Sequence, residues 1–242
     1  MKCENHSVPP SKVSEILKRV RVETDVDGEA VCLPLPFVNM NHRVDVRVTD
    51  FQPSDLQGFV HPKKASKFDA LSDNEDSDLE SGSDTMRELE TEREWEWRFA
   101  LQLEDATPNA EPRERFWVAV DNQAAQCLTN LDASNLKHDP ENLEALRQRM
   151  FYLWGDLEEQ KSAIEARPAQ AMRVANEDQP PPDSSDNEAE PQMGKVTNRP
   201  FSCCVRQYGV KVRESDPSKA DAGKGYRWVR MFGLYGTRIA GN

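Results

Sequence analysis

The sequence predicts a mainly β protein in which five strands close into a small barrel with one helix. The first observation is the stretch Trp95–Asp105, where the odd positions from Trp95 to Leu103 are all apolar and alternate with the polar residues Glu96, Arg98, Gln102 and Glu104. That period of two is typical of a strand with one buried face. Four other segments are predicted strands, and a single amphipathic helix separates the third strand from the fourth. Two long polar inserts, after the first strand and after the helix, are expected to be disordered.

Composition limits the class of protein. The chain has 242 residues, of which 37% are hydrophobic and 31% charged, and its mean hydropathy is -0.80. We expect a flexible tail over 1–34 and one domain over 35–242, with an acidic insert at 52–94 and a Pro-rich insert at 166–198. Because the sequence has no long apolar run and no signal peptide, we expect the protein in the cytosol or nucleus and without a membrane partner. The five scattered cysteines favour reduced thiols over a disulfide framework.

The first three strands follow from alternation. His42–Phe51 places three valines on one side and polar residues on the other. Trp95–Asp105 is the predicted central strand, long enough at about 3.3 Å per residue to wrap around a curved barrel. Arg115–Asp121 alternates again after a proline-containing turn, and the last two of these strands form a predicted antiparallel hairpin.

The helix over 139–165 is predicted from its start signal and its stripe. Asp139 is a capping carboxylate, and Pro140 occupies the first helical position, where its missing N–H costs nothing. Apolar residues recur at three-to-four spacing, as in an amphipathic helix packed on a core: Leu143, Leu146, Met150, Leu153, Trp154 and Leu157.

Two final strands complete the barrel. Phe201–Arg213 has apolar odd positions at first and apolar even positions later, which predicts a β-bulge near Arg206–Gln207. The last strand is Tyr226–Phe232, after a loop containing glycine and lysine. Because five strands with apolar residues on both faces cannot be buried as a flat open sheet, closure is expected. This order, with the helix between strands three and four, predicts an OB barrel.

Five blocks of the sequence resemble one family. The similarity extends from about Leu35 to Ile239 through Phe37–Met40, Val46–Phe51, Trp95–Leu101, Tyr152–Glu159 and Arg230–Ile239. These blocks resemble the OB domain of fungal protection-of-telomeres proteins, which bind single-stranded telomeric DNA within shelterin. The resemblance implies a telomere-capping role in the nucleus, at the telomeric region of chromosomes, with single-stranded G-rich telomeric DNA and a shelterin bridging protein as partners.

Charge is unevenly distributed along the chain. The formal net charge is -12, which alone disfavours a polyanionic partner. From Asp69 to Glu94, however, 11 acidic residues outnumber 2 basic ones, whereas Lys195–Asn242 holds 10 basic and 3 acidic residues. The carboxyl-terminal part is therefore basic by +7 and is the candidate nucleic-acid surface.

The candidate nucleic-acid-binding residues interleave cations with aromatic side chains on the last two strands and on the polar faces of strands two and three. Cations would neutralise phosphates, and aromatic faces would stack bases. The alternative is that the aromatic residues fill the barrel and the charges only solvate it. The candidates are Arg98, Gln102, Trp117, Arg206, Tyr208, Lys211, Arg213, Lys224, Tyr226, Arg227, Trp228 and Arg230.

We expect no enzymatic activity, metal, cofactor or small-molecule substrate. The four histidines lie in predicted tails, loops or the helix entry, and there is no glycine-rich phosphate loop or nucleophile elbow. Two hypotheses remain. In one, the barrel binds single-stranded telomeric DNA; in the other, it is a protein-docking module of shelterin without direct DNA contact.

Overall fold

A computed structural model describes residues 1–4, 7–63, 94–108, 113–164 and 198–239. The strands are β1 (Lys2–Cys3), β2 (Arg21–Val26), β3 (Glu29–Pro34), β4 (Met40–Gln52), β5 (Val60–Pro62), β6 (Trp95–Trp97), β7 (Phe99–Asp105), β8 (Arg115–Val120), β9 (Phe201–Arg213), β10 (Tyr226–Tyr235) and β11 (Thr237–Arg238). The helices are α1 (Val13–Leu17), α2 (Asn122–Thr129), α3 (Pro140–Trp154) and α4 (157–164). Within these ranges, no helix has the length and apolar character needed to cross a bilayer.

Five strands form a sheet that closes on itself, in the order β10–β8–β7–β4–β9 and back to β10. All neighbours are antiparallel except β8 and β10, which meet in parallel at Ala119 and Gly233. Each of the five predicted strands contributes to this ring. The prediction of a mainly β chain with a closed five-stranded sheet is therefore confirmed.

The core fills the ring and one of its ends. Alternating residues of the barrel strands point inward and are almost fully buried: Val44, Val46, Val48, Leu101, Leu103, Val118, Val205 and Leu234. At one end, the Trp154 ring of α3 stacks on Phe51 at 4.4 Å between centroids, and Phe59 stacks on Phe99 at 4.3 Å. These aromatic pairs bury a large apolar area, so α3 is fixed against the barrel end.

The predicted central strand is divided in two. β6 pairs with β5 outside the barrel, and β7 pairs with β4 and β8 inside it. The division falls at Arg98, whose backbone N–H donates to the Phe59 carbonyl at 2.8 Å. The N–H of Trp97 donates to Asn122 Oδ1 at 2.9 Å. The alternation of apolar and polar residues continues across Arg98, so the sequence pattern alone could not reveal the break between β6 and β7.

The first insert begins later than residue 52. Leu56–Phe59 forms a 3-10 turn, and Val60–Pro62 is β5. Leu56, Phe59 and Val60 are buried in the core, which supplies the burial that the acidic stretch lacks. At the end of the second insert, Asn198 is buried and its side-chain amide donates to the Val48 carbonyl at 2.6 Å. The predicted disorder of 64–93 and 165–197 lies outside the described residues.

The prediction of one helix over 139–165 was wrong in number. Among the described residues between β8 and β9 there are three helices: α2, α3 and α4. Asp121 starts α2 by accepting a hydrogen bond from the Ala124 N–H, and this eight-residue helix is too short for a strong periodic signal. Gly155 separates α3 from α4 with φ 61° and ψ -129°, a backbone conformation that favours glycine.

The bulge predicted near Arg206–Gln207 is absent from β9. Its register with β10 runs without a shift from Cys204 to Arg213. The apolar parity changes because β9 leaves the barrel, and its later apolar residues lie on the outer face. The register shift lies in β4 at Thr49, whose hydroxyl donates to Gln102 Oε1 at 2.9 Å.

Residues 1–34, expected as a tail, contain four of the regular elements. β1 pairs with β11, and β2 pairs with β3 as a hairpin. Val13 and Ile16 of α1 are buried in the core, which explains why so short a helix persists. The segment gave no long apolar stripe, and its packing partners lie far along the chain.

We predict that Asp139→Ala lowers the free energy of unfolding by about 1 kcal/mol, because Asp139 Oδ1 accepts the Asn142 N–H at 3.0 Å at the start of α3. That hydrogen bond, followed by one from Ser134, holds the pKa of Asp139 below its usual 3.8. The charged cap therefore stabilises the fold above about pH 4, and its contribution is lost as the pH falls through the folded-state pKa. Urea denaturation at pH 7 and below pH 3 measures both effects.

Asp139→Asn is the matched control, because asparagine keeps the acceptor and caps helices equally well. An Asn variant as unstable as the Ala variant would contradict the capping role.

Candidate nucleic-acid interface

The ends of β9 and β10 extend beyond the barrel as a two-stranded ribbon. We call residues 208–213 and 226–231 the terminal ribbon; they pair from Tyr208 opposite Met231 to Arg213 opposite Tyr226. Its residues are half-buried or exposed, in contrast to the buried Phe232–Leu234 that follow within the barrel. Opposed residues share a face, so the ribbon has an inner face continuous with the barrel interior and an outer face.

Trp228 is the centre of the inner face. Its ring lies 4.9 Å from the Phe37 ring between centroids, and Lys211 Nζ lies 4.9 Å from its centroid. The backbone N–H of Trp228 donates to Asp221 Oδ1 at 2.7 Å. Phe37 lies directly on the backbone at Gly209, where a Cβ would come within 2.2 Å of the ring. Trp228 is thus fixed by contacts, and only part of its ring is accessible.

A cleft of about 440 Å³ opens beside Trp228, between the ribbon and the amino-terminal segment. Arg19, Arg227 and Arg230 all line it, together with one carboxylate, Asp221. The Arg230 guanidinium donates to the carbonyl oxygens of Leu17 at 2.7 Å and Lys18 at 3.1 Å. Its burial, and then the nearby Arg19, lower the pKa of Arg230 from its usual value. The cleft therefore concentrates positive charge next to an indole ring.

The outer face continues onto the barrel. Gln102 opposes Trp117, and the parallel register of β8 with β10 puts Trp117 level with Met231, which opposes Tyr208. Four neighbouring strands thus present one row on the same side of the sheet. Trp117 is 37% exposed, and Met231 is 36% exposed. We call Gln102, Trp117, Met231 and Tyr208 the outer row.

Arg206 lies beside this row over Gly233. Its guanidinium carbon is 5.8 Å from the Tyr208 ring centroid, and a Cβ at Gly233 would lie 3.2 Å from both side chains. The Arg206 side chain also forms an ion pair with Asp121. The absence of a side chain at Gly233 allows the arginine and the tyrosine to lie flat against the sheet.

The predicted cations differ in how they are engaged. Arg206 pairs with Asp121, and Arg227 pairs with Glu214 at 2.9 Å. Among the described residues, Arg98, Arg213 and Lys224 have no ion pair. Ion pairs at exposed sites are weak, typically about 0–1 kcal/mol, so a phosphate can displace these carboxylates.

The structure brings together most of the predicted residues and separates one. Lys211, Arg213, Tyr226, Trp228 and Arg230 share the inner face, Lys224 lies in the loop between the ribbon strands, and Arg227 lies at the cleft. Arg98 lies at the far end of β7, near Val120 and level with the barrel end of β10. It is not part of the ribbon. Which of these residues contact a ligand stays a prediction.

Four residues of this surface are not among those predicted from the sequence. Arg19 lies in the segment expected as a tail, and Met231 was treated as an ordinary strand residue. Glu214 and Asp121 are counter-ions that strand patterns do not identify. The signal for Arg19 was present, since it follows the apolar positions of α1, but nothing local indicated that α1 packs on the core.

Comparison with known proteins gives a structural likeness but no sequence match. No protein-family model matches the chain, and no curated protein sequence matches it. Among solved structures, a chain of the crystal structure of fission yeast Pot1 and Tpz1 is similar, at 19% sequence identity and a TM-score of 0.49. The alignment covers 97% of this chain and 96% of that one. This likeness does not place the chain in a family.

We predict that Gly209→Ala destabilises the protein by about 1–3 kcal/mol, because the added methyl group displaces the Phe37 ring from the ribbon. In a Phe37→Ala background the same change should cost much less, since the obstructing ring is gone. Chemical denaturation of the four proteins of this cycle measures the coupling. Additive effects within about 0.5 kcal/mol would show that Phe37 does not occupy this position.

Proposed function

We propose that the chain is an OB-fold protein that binds single-stranded nucleic acid along the outer row and the terminal ribbon. The connectivity supports the OB assignment: five strands form a closed ring, the helices α2–α4 lie between the third and fourth of them, and the third and fifth close the ring in parallel. OB folds bind oligonucleotides on the face of their second and third strands, here β7 and β8. Gln102 and Trp117 lie on that face.

One observation supports this function above all others. Trp117 and Met231 are exposed at neighbouring positions of adjacent strands, with the half-buried Tyr208 beyond them and Arg206 alongside. Stacking on aromatic side chains contributes about 1–3 kcal/mol per base and tolerates any sequence. Arg206 beside the row and Arg227 on the outer face of the ribbon would neutralise phosphates in place of their carboxylate partners.

We further propose that the ligand is G-rich telomeric DNA and that the protein acts at telomeres in the nucleus. Support comes from the five sequence blocks that resemble protection-of-telomeres proteins. Two of them, Phe37–Met40 and Arg230–Ile239, contain parts of the ribbon and its cover. In this proposal the protein binds single-stranded DNA and caps telomeres, and it does not catalyse a reaction.

The test is a fluorescence-anisotropy titration of the full chain with telomeric-repeat and scrambled oligonucleotides at two ionic strengths. We expect affinity to fall with salt, with a logarithmic slope near -0.7 for each phosphate neutralised. Trp117→Ala should weaken binding about 5- to 160-fold, the range equivalent to losing one stacked base. Trp117→Phe keeps a stacking face and should lose far less.

A flat salt response, or no binding at low salt, would reject nucleic-acid binding. Equal affinity for telomeric and scrambled oligonucleotides would reject only the telomeric preference.

A second function, protein docking, is favoured by a different observation. The outer face of the ribbon exposes Val210 and Val212 at 39% and 40%, while the adjacent Arg227 is already paired with Glu214. A strip of exposed valines on a two-stranded ribbon suits an extended apolar segment of a partner protein, such as the shelterin bridging partner. Polyanion binding would not require these valines.

For docking, we predict that Val212→Asp abolishes capture of a specific partner from nuclear extract, because the strip would then bury an unpaired carboxylate. Val22→Asp, at an equally exposed valine of β2, is the matched control and should retain the partner. A partner held equally by both variants would refute docking at the ribbon.

A further inference from the structure

A second cationic cleft lies at the beginning of β9, at the other end of that strand from the terminal ribbon. It encloses about 590 Å³, and its lining includes Lys2, Arg43, Tyr152, Arg199, Phe201 and Ser202. No carboxylate is among the described residues that line it, although the whole chain carries a net charge of -12. None of these six residues belongs to the ribbon or to the outer row. We call it the amino-terminal cleft.

Main-chain and side-chain contacts hold its cations in place. Arg43 Nη1 donates to the Val8 carbonyl at 2.9 Å, and its Nη2 donates to Ser202 Oγ at 3.3 Å. Ser202 in turn donates to Asp45. Arg199 is exposed and follows Asn198, which is buried and anchored to β4. The position of the Arg43 side chain is therefore set before any ligand arrives, which lowers the ordering cost of binding.

Lys2 faces another cation. In the pairing of β1 with β11, Lys2 lies directly opposite Arg238, so two positive side chains share one side of a two-stranded sheet. Like charges directly opposite each other in a sheet are destabilising. Neither residue has an ion pair with a described carboxylate. An anion bound between Lys2 and Arg199, which both line the cleft, would reduce this repulsion.

Tyr152 gives the cleft an aromatic face. It lies in the last turn of α3 and is 75% exposed, the largest exposure among the large hydrophobic and aromatic side chains described. An exposed aromatic ring beside several cations is the combination that binds a base and its phosphates in single-stranded complexes. A free phosphate ion would use the cations but not the tyrosine.

We propose that the amino-terminal cleft binds phosphates and a base of the same nucleic-acid strand that the outer row binds. This inference rests on the proposed function and extends it to a second contact. Ser202 and Tyr208, the outer-row residue of β9, are six residues apart on that strand, which corresponds to about 20 Å. Single-strand sites on one OB fold range from about 4 to 16 nucleotides, so a long strand reaches both contacts and a short one reaches only one.

The experiment compares Arg199→Glu with Lys137→Glu, a charge reversal at an exposed lysine that lines neither surface. Each is titrated by anisotropy with labelled single-stranded oligonucleotides of about 6 and about 16 nucleotides. We expect Arg199→Glu to weaken the long oligonucleotide about tenfold and to reduce its salt slope by about 0.7 or more, with less than a twofold change for the short one. Tyr152→Ala should weaken binding of the long oligonucleotide without changing the salt slope of its affinity, because tyrosine carries no charge.

The outcomes separate the two proposals. If Trp117→Ala weakens binding but Arg199→Glu behaves like Lys137→Glu at both lengths, the amino-terminal cleft is refuted and the proposed function stands. If Arg199→Glu gives the length-dependent loss of affinity while Trp117→Ala changes nothing, binding at the cleft is supported and binding at the outer row is refuted. No binding by the wild-type chain at low salt refutes both.

The remaining outcome concerns a different ligand. A synthetic phosphoserine peptide with the sequence of residues 72–84 serves as the probe. If it binds the wild-type chain but not Arg199→Glu, and oligonucleotide affinity is unchanged, the cleft takes a phosphoprotein and the proposal is overturned.

Discussion

The double pairing of β9 determines the rest of the structure. Residues Phe201–Gln207 pair with β4, and Cys204–Arg213 pair with β10, so one strand closes the barrel with its first half and forms the ribbon with its second. Burial drives the first half, because Cys203, Cys204 and Val205 are fully buried. Within the described part of the chain, the second half pairs with β10 alone and is partly covered by Phe37. Its stability therefore depends on the barrel end from which it extends.

The amino-terminal segment completes the ribbon rather than trailing from it. Phe37 covers Gly209 and Trp228, and the Arg230 guanidinium holds the carbonyl oxygens that follow α1. Charged hydrogen bonds of this kind are stronger than neutral ones, about 1.5–3 kcal/mol net each. Removing the segment would expose the inner face and leave Arg230 without these acceptors. The two ends of the sequence thus form one surface, with α1 anchored in the core.

Alternation and capping signals were sufficient to predict the barrel strands, since Val44, Leu101 and Val118 all point inward as their parity required. They could not predict where strands leave the barrel. A strand that continues as an exposed ribbon keeps its two-residue alternation, but its apolar residues move to the other face. In β9 this change from odd to even apolar positions looks the same in sequence as a β-bulge. The sites were predictable where cations and aromatic residues adjoin in sequence, as at Arg227 and Trp228. Arg19 and Lys2 were not, because long-range packing alone puts them beside other cations.

The charge distribution explains how an acidic protein can offer anion-binding surfaces. At physiological ionic strength the Debye length is about 8 Å, so exposed charges farther apart than this barely influence each other. A phosphate at Arg199 is therefore governed by the charges nearest to it, and the described residues that line the cleft with Arg199 include Lys2 and Arg43 but no carboxylate. The same screening makes two contacts about 20 Å apart electrostatically independent. Their cooperation would come from linkage through the bound strand, because the first contact raises the effective concentration of the strand at the second.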